Sequence, residues 1–199
     1  DFEIVEKIAE GGMGEVYEAI LHGMSGFEKR VALKVVRADF LENPATDSMR
    51  TRDDRAMEFF DRLVHEAKLV SNLIHTHIVQ IYLLGDLILD NAPSGYIAME
   101  YVNGVNLRSF IDRHLFENRT TPWEIAVYIA SRLARALEYA HAATAPDGSP
   151  LNIVHRDVTP TNVLISVEGV VKLSDFGIAK AVTLEEVSAD YIVGKRRYM

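Results

Sequence analysis

Apolar and polar positions alternate through the first third of the chain. "FEIVEKIAE" and "VYEAIL" read as two strands joined by the glycine-rich turn "GGMGE". "RVALKVV" is a third strand, apolar except for Lys34 and the arginine that opens it. Residues 38–55, "ADFLENPATDSMRTRDDR", hold no sustained period and read as a loop or insert. Between Ala56 and Ile74 the period becomes helical, with Phe59, Leu63, Val70 and Leu73 on one stripe. "IVQIYLLGDLIL" and "GYIAMEYV" then predict two more strands around a turn at "DNAPSG".

Past Asn103–Gly104 the pattern turns helical. "TPWEIAVYIASRLARALEYAHAA" predicts a long amphipathic helix with Ile129, Leu133, Leu137 and Ala140 on its apolar stripe. Thr121 and Glu124 suggest a capping box, with Pro122 at the first helical position. "TAPDGSP" reads as a loop, and "NVLIS", "VEG" and "VVKLS" as a short hairpin. A sheet-rich part followed by a helical part is an α+β organisation.

The 199 residues carry 21 basic and 29 acidic side chains, a net charge of −8. Such a chain is a poor general binder of nucleic-acid backbones, so no nucleic-acid partner is expected. The absence of cysteine excludes disulfides and thiolate metal sites and suits a reducing compartment. No apolar run reaches the ~18 residues of a membrane span, and no signal-peptide pattern opens the chain. It begins at Asp1 and stops at Met199 inside what reads as a loop, so it is expected to be part of a longer protein.

Three features carry chemistry. "AEGGMGEV" sets Gly11, Gly12 and Gly14 between two strands, where a bare backbone can approach a phosphate and aim N–H groups at it. A glycine turn without a ligand would have the same residues. Lys34 is an ammonium among Ala32, Leu33, Val35 and Val36, and a charge so placed wants an anion. Glu66 is an acid inside the apolar stripe of the predicted helix; each is misplaced alone, and the two are consistent together. Asp157, Asn162 and Asp175 are hard oxygen donors flanking the predicted hairpin, of the kind Mg²⁺ takes. Each alone is also an ordinary turn former. His75 and His77 have a spacing that suits a metal, but no third ligand stands near them, and a turn is the better reading.

In this order, "AEGGMGEV", "VALK", Glu66, "HRDVTPTN" and "DFG" resemble the motif set of the protein kinases, in particular the bacterial Ser/Thr kinases of the eukaryotic type. The resemblance covers essentially the whole chain. It implies a bilobal α+β fold: residues 1–102 an antiparallel five-stranded N-lobe with one helix (αC in that family), residues 103–199 a partial helical C-lobe. It implies a Ser/Thr protein kinase that uses ATP and Mg²⁺ and transfers the γ-phosphoryl group to a protein hydroxyl. The glycine loop, with Ala9, Gly11, Gly12 and Gly14, would cover the phosphates, and Lys34, oriented by Glu66, would hold two of them. Asp157 would orient the substrate hydroxyl and accept its proton, while Asn162 and Asp175 hold Mg²⁺. The backbone of Glu100 and Val102, after the gatekeeper Met99, would bind the adenine edge, with Val16, Ala32 and Leu164 on its faces. Val70, Ile81, His155 and Phe176 would stack in the active state. Arg156 implies control by a phosphorylated segment, with Thr183, Ser188 and Tyr191 as candidate sites. The implied partners are protein substrates and ATP, with a homodimer compatible with phosphorylation in trans. The implied location is the cytoplasm, as a free protein or as the cytoplasmic part of an anchored one.

The chain departs from the family pattern at four places. Ala9 replaces the first loop glycine, and the segment between Lys34 and Glu66 is long. Thr159 stands where Ser/Thr kinases usually have lysine, and Lys195 where they usually have threonine. This suggests a reciprocal exchange, in which Lys195 supplies the cation and Thr159 the hydroxyl; a surface lysine in "KRR" is the plainer alternative. The chain also stops before the "APE" motif, so the peptide-binding helices are missing, apolar surface is expected to lie uncovered, and this piece alone is expected to be inactive. A pseudokinase or nucleotide-binding scaffold is the alternative function, and a small-molecule kinase on the same fold a third.

Overall fold

The computed structural model describes residues 1–11, 14–37, 64, 67–68, 70–89, 92–145 and 147–176. The chain divides into two compact units, Asp1–Lys68 with Ile81–Tyr101, and Leu69–Gln80 with Val102–Met199.

The first unit is an antiparallel five-stranded sheet in the order β1-β2-β3-β5-β4. Its strands are β1 (Phe2–Gly11), β2 (Gly14–His22), β3 (Glu28–Arg37), β4 (Ile81–Leu89) and β5 (Ala92–Glu100). "RVALKVV" is near-continuously apolar because central β3 is buried on both faces, Val31, Leu33 and Val35 on one and Ala32 and Val36 on the other. Residues opposed across an antiparallel ladder point to the same face, and alternate residues point to opposite ones. One face therefore gathers Ala19, Val31, Leu33, Val35 and Ala98, with Phe2, Tyr17, Leu21 and Tyr96 packed against them. Phe2 meets Tyr96 edge-on, with ring centroids 5.3 Å apart. Pairing of Ala9 with Val16, Val16 with Lys34, Lys34 with Ile97 and Ala32 with Met99 puts that second set on the other face. A slip of one residue would exchange the two sets.

Two expectations need correction here. The turn between β4 and β5 is tighter than "DNAPSG": Leu89 already pairs with Ala92, and Ile88 with Pro93. Among the described residues the β3 ladder ends opposite Ser94, so Pro93 pairs only with β4, a position where proline is tolerated. The fourth strand also starts later than "IVQ". Ile78 forms a parallel bridge with Leu173 in the second unit instead.

The second unit holds a three-stranded sheet in the order β6-β7-β8, with β6 (Gly104–Asn106), β7 (Val163–Ser166) and β8 (Val171–Leu173). The β7–β8 hairpin is the one the sequence predicts; β6, too short for periodicity to reveal, is not. A Cβ on Gly104 would lie 2.0 Å from the Ile165 carbonyl oxygen, so this close approach requires glycine. Two helices follow the first of these strands: α1 (Leu107–Phe116) and α2 (Trp123–His141). Asn106 caps α1 by accepting from the Ser109 N–H at 2.8 Å. The expected capping box on α2 is not formed: Pro122 is the N-cap, no side chain caps the helix, and Trp123 is its first residue. On α2, Ile129, Ala136 and Ala140 are buried, Leu133 and Leu137 half-buried, and Trp123, Val127 and Tyr128 exposed.

Gly14 has φ 145°, and a Cβ there would lie 1.9 Å from the Val35 carbonyl oxygen. Gly14→Ala should lower stability by about 1–3 kcal/mol, read from the urea midpoint. Gly26→Ala, with φ 77° and open space around its Cβ, should cost clearly less.

Candidate active site

The first unit displays Ala9, Val16, Ala32, Lys34 and Met99 on one face of its sheet. Ala32 and Met99 are buried; Val16 and Lys34 are half-buried. Gly11 and Gly14 pair with each other at the mouth of the turn; Gly12 lies outside the described residues. Glu10 and Glu15 stand directly opposite beside that turn. Lys7 bridges them, with Nζ 2.6 Å from Glu10 and 3.0 Å from Glu15, which relieves a like-charge pair beside the glycine turn. Glu66, the expected partner of Lys34, also lies outside the described residues.

At the other end of this face sits an acid the sequence reading passed over. Glu18 is buried, opposite Ala32, and its carboxylate lies 3.2 Å from Nε of Arg30. The Tyr101 phenol donates to the same carboxylate, and that bond, more than burial, pushes its pKa up. The Arg30 guanidinium lies 5.5 Å from the Tyr101 ring centroid. This cluster fixes the residue between Glu100 and Val102, the two expected adenine-binding positions. Alternation within "VYEAIL" placed Glu18 on a sheet face; nothing local distinguished it from a surface acid.

In the second unit the "HRDVTPTN" segment has no regular structure and is held bond by bond. The Asp157 N–H donates to the His155 carbonyl at 2.8 Å across Arg156, whose φ is 60°. This is γ-turn geometry, a tight and strained link. Asp157 N–H also lies 3.2 Å from the acceptor Nδ1 of His155. The Asn162 N–H donates to the Thr159 carbonyl at 2.9 Å, closing a β-turn with Pro160 at its second position. The Arg108 N–H, in the first turn of α1, donates to the Pro160 carbonyl at 3.0 Å.

Asn162 is the centre of the site. Its Nδ2 donates to the Asp157 carbonyl at 2.9 Å and to Asp157 Oδ2 at 3.1 Å. Its own carbonyl accepts from the Ser174 N–H at 2.8 Å and from Ser174 Oγ at 3.1 Å. Ser174 immediately precedes Asp175, so this asparagine ties the loop that carries Asp157 to the residue next to Asp175. Asp175 has φ 56°, a left-handed backbone that aspartate tolerates better than most. Thr159 is buried and bonds the hydroxyl of Thr161 at 2.9 Å. Ser174 and Thr161 were not singled out from the sequence, because small hydroxyl residues in loops carry no distinguishing pattern. Leu164 is half-buried on β7. Lys195, Thr183, Ser188 and Tyr191 lie outside the described residues. Among the described residues, no three His, Cys, Asp or Glu side chains gather as a metal site. Asn162 with a nearby carboxylate fits Mg²⁺, which takes one or two protein oxygens and completes its shell with waters and substrate phosphates.

His155 is buried, with Nε2 donating to the Ser174 carbonyl at 2.9 Å and its ring 4.5 Å from that of Phe176. Val70, Ile81 and Phe176 are buried too. The "HTH" histidines have structural partners: His75 stacks on Tyr139 at 4.9 Å, and His77 Nδ1 donates to the Val171 carbonyl at 2.8 Å.

The chain matches the protein kinase domain over residues 2–199 and belongs to that family. It is 34% identical over 199 residues to the tyrosine-protein kinase MasK of Myxococcus xanthus, covering 100% of this chain and 28% of MasK. A probable serine/threonine-protein kinase of Streptomyces coelicolor is 34% identical over 205 residues, covering 100% of this chain and 26% of that protein. The serine/threonine-protein kinase PknA of Mycobacterium tuberculosis is 32% identical over 200 residues, covering 100% of this chain and 40% of PknA. The chain thus spans well under half the length of these relatives.

Burial holds the pKa of His155 below its ordinary 6.5, against the opposing pull of the Ser174 carbonyl, Asp175 and Asp157. Burial likewise lowers that of His75, helped by His77, Lys172 and Arg135. Below about pH 6.5 the unfolded chain binds protons that the fold refuses, so stability is complete above that pH and falls as pH drops. The urea midpoint should decline from about pH 7 to about pH 5, and His155→Asn should flatten the decline.

Proposed function

We propose that this chain is the ATP-handling part of a serine/threonine protein kinase, which moves the γ-phosphoryl group of MgATP to a protein hydroxyl. One observation carries the reading: Asn162 bonds Asp157 through its amide and Ser174, the neighbour of Asp175, through its carbonyl. A base for the hydroxyl and two oxygen ligands for a cation are held by one residue. On this reading Asp157 orients the substrate hydroxyl and takes its proton, while Asn162 and Asp175 would hold Mg²⁺. When bound, the cation would neutralise charge on the phosphates. Lys34, oriented by Glu66, binds two phosphates, and the backbone from Ala9 through Gly11 and Gly12 to Gly14 covers them. Glu100 and Val102 offer backbone groups to the adenine edge beside Met99, and Val16, Ala32 and Leu164 pack on its faces. The site of action is the cytoplasm, and a homodimer would allow phosphorylation in trans.

The printed names of the relatives divide between tyrosine and serine/threonine. Phosphoamino-acid analysis decides this. Transfer of ³²P from MgATP by the full-length protein should label serine and threonine, and Asp157→Asn should reduce it by about 10²–10⁴-fold. Nucleotide binding without transfer would establish the scaffold alternative instead.

The exchange of Thr159 and Lys195 is part of the proposal: Lys195 brings a cation to the transferring phosphate. Lys195→Ala should lower turnover at least about tenfold with little change in nucleotide affinity, as loss of a contact made in the transition state does. Turnover near wild type would show that Lys195 is an ordinary surface lysine.

A further inference from the structure

We infer that Thr161, steered by Thr159, is a positioning residue for Asn162 and sets how firmly the site grips its divalent cation. The inference rests on the reading of Asn162 as a cation ligand.

A threonine hydroxyl has one proton to donate. Thr161 Oγ1 donates to Asn162 Oδ1 at 3.5 Å, the outer limit of a hydrogen bond. In the 2.9 Å contact between the two threonine hydroxyls Thr161 is then the acceptor, and Thr159 the donor. The chain runs one way, from Thr159 to Thr161 to Asn162. Thr159 is 4% exposed, so its hydroxyl is shut away from water, and among the described residues Thr161 is its one hydrogen-bond partner.

The asparagine end is equally constrained. Nδ2 commits its hydrogens to the Asp157 carbonyl and to Asp157 Oδ2. Oδ1 is then the only atom of this side chain able to meet a cation, and it has two lone pairs. Thr161 addresses one, which leaves the other for the metal. The carboxamide is thus held by Asp157 on the nitrogen side and approached by Thr161, at the limit of a hydrogen bond, on the oxygen side. The β-turn makes this possible, because Pro160 at its second position folds Thr159 and Thr161 together just before Asn162. Hydrogen-bond partners of a ligand, rather than the ligand alone, commonly fix its orientation and affinity.

The test is Mn²⁺ binding to the full-length protein with a non-hydrolysable ATP analogue, read from the electron paramagnetic resonance signal of free Mn²⁺. Thr161→Val should weaken Mn²⁺ binding about tenfold, and Thr161→Ser, which keeps the hydroxyl, should stay within about twofold of wild type. Thr159→Val should weaken it in the same direction by less. Thr161 is exposed, so its melting temperature should be unchanged in both variants. Asn162→Ala serves as the reference. If it weakens Mn²⁺ binding while Thr161→Val does not, or if serine fails as badly as valine, the relay is wrong and the site stands. If Asn162→Ala leaves binding intact, the ligand assignment fails and the relay falls with it.

Discussion

The register of one short hairpin holds the second unit together. Val163 pairs with Leu173, and the next pair outward is Asn162 with Ser174, joined by the 2.8 Å bond from the Ser174 N–H. That alignment brings the end of the "HRDVTPTN" loop beside the start of "DFG". Shifted by one residue, Asn162 would face the wrong side, and Asp157 would lose the amide that holds it. The hairpin is buried at Val163, Val171 and Leu173, so apolar packing fixes the register on which the polar bonds of Asn162 depend.

The five-stranded unit separates its tasks by face. One face is closed with apolar side chains, and such close packing resists deformation of the sheet. The reverse mixes charged side chains with apolar ones, and Lys34 and Glu18 are among the charges. Glu18 is satisfied within the fold by Arg30 and Tyr101. A buried acid without such partners would be costly.

Much of this was legible in the sequence. Alternation located all five strands of the first sheet and the β7–β8 hairpin, because each has one face or both packed away. The spacing of Asp157, Asn162 and Asp175 marked the candidate site, since three oxygen donors around one hairpin are hard to attribute to turns alone. Other features lay beyond reach for physical reasons. A capping box is a local preference, and at Thr121 the chain put Pro122 at the cap instead. The partners of Glu18 come from β3 and from the residue after β5, a juxtaposition that no local window contains. The Thr159–Thr161 contact depends on a turn that "TPTN" permits without announcing.

The segment from Leu69 to Gln80 belongs with the second unit, although the β4–β5 hairpin of the first unit follows it along the chain. Val79 and Leu173 exchange a backbone bond of 3.0 Å, and His77 reaches Val171 across 94 positions. The two units are therefore interleaved, and no single cut yields both whole: severing the chain after Tyr101 strips the small sheet of its parallel edge. Closing so long a loop is an entropic burden that local contacts cannot relieve. The small sheet's parallel edge therefore cannot close until Leu173 has been synthesised, after all the intervening strands and helices.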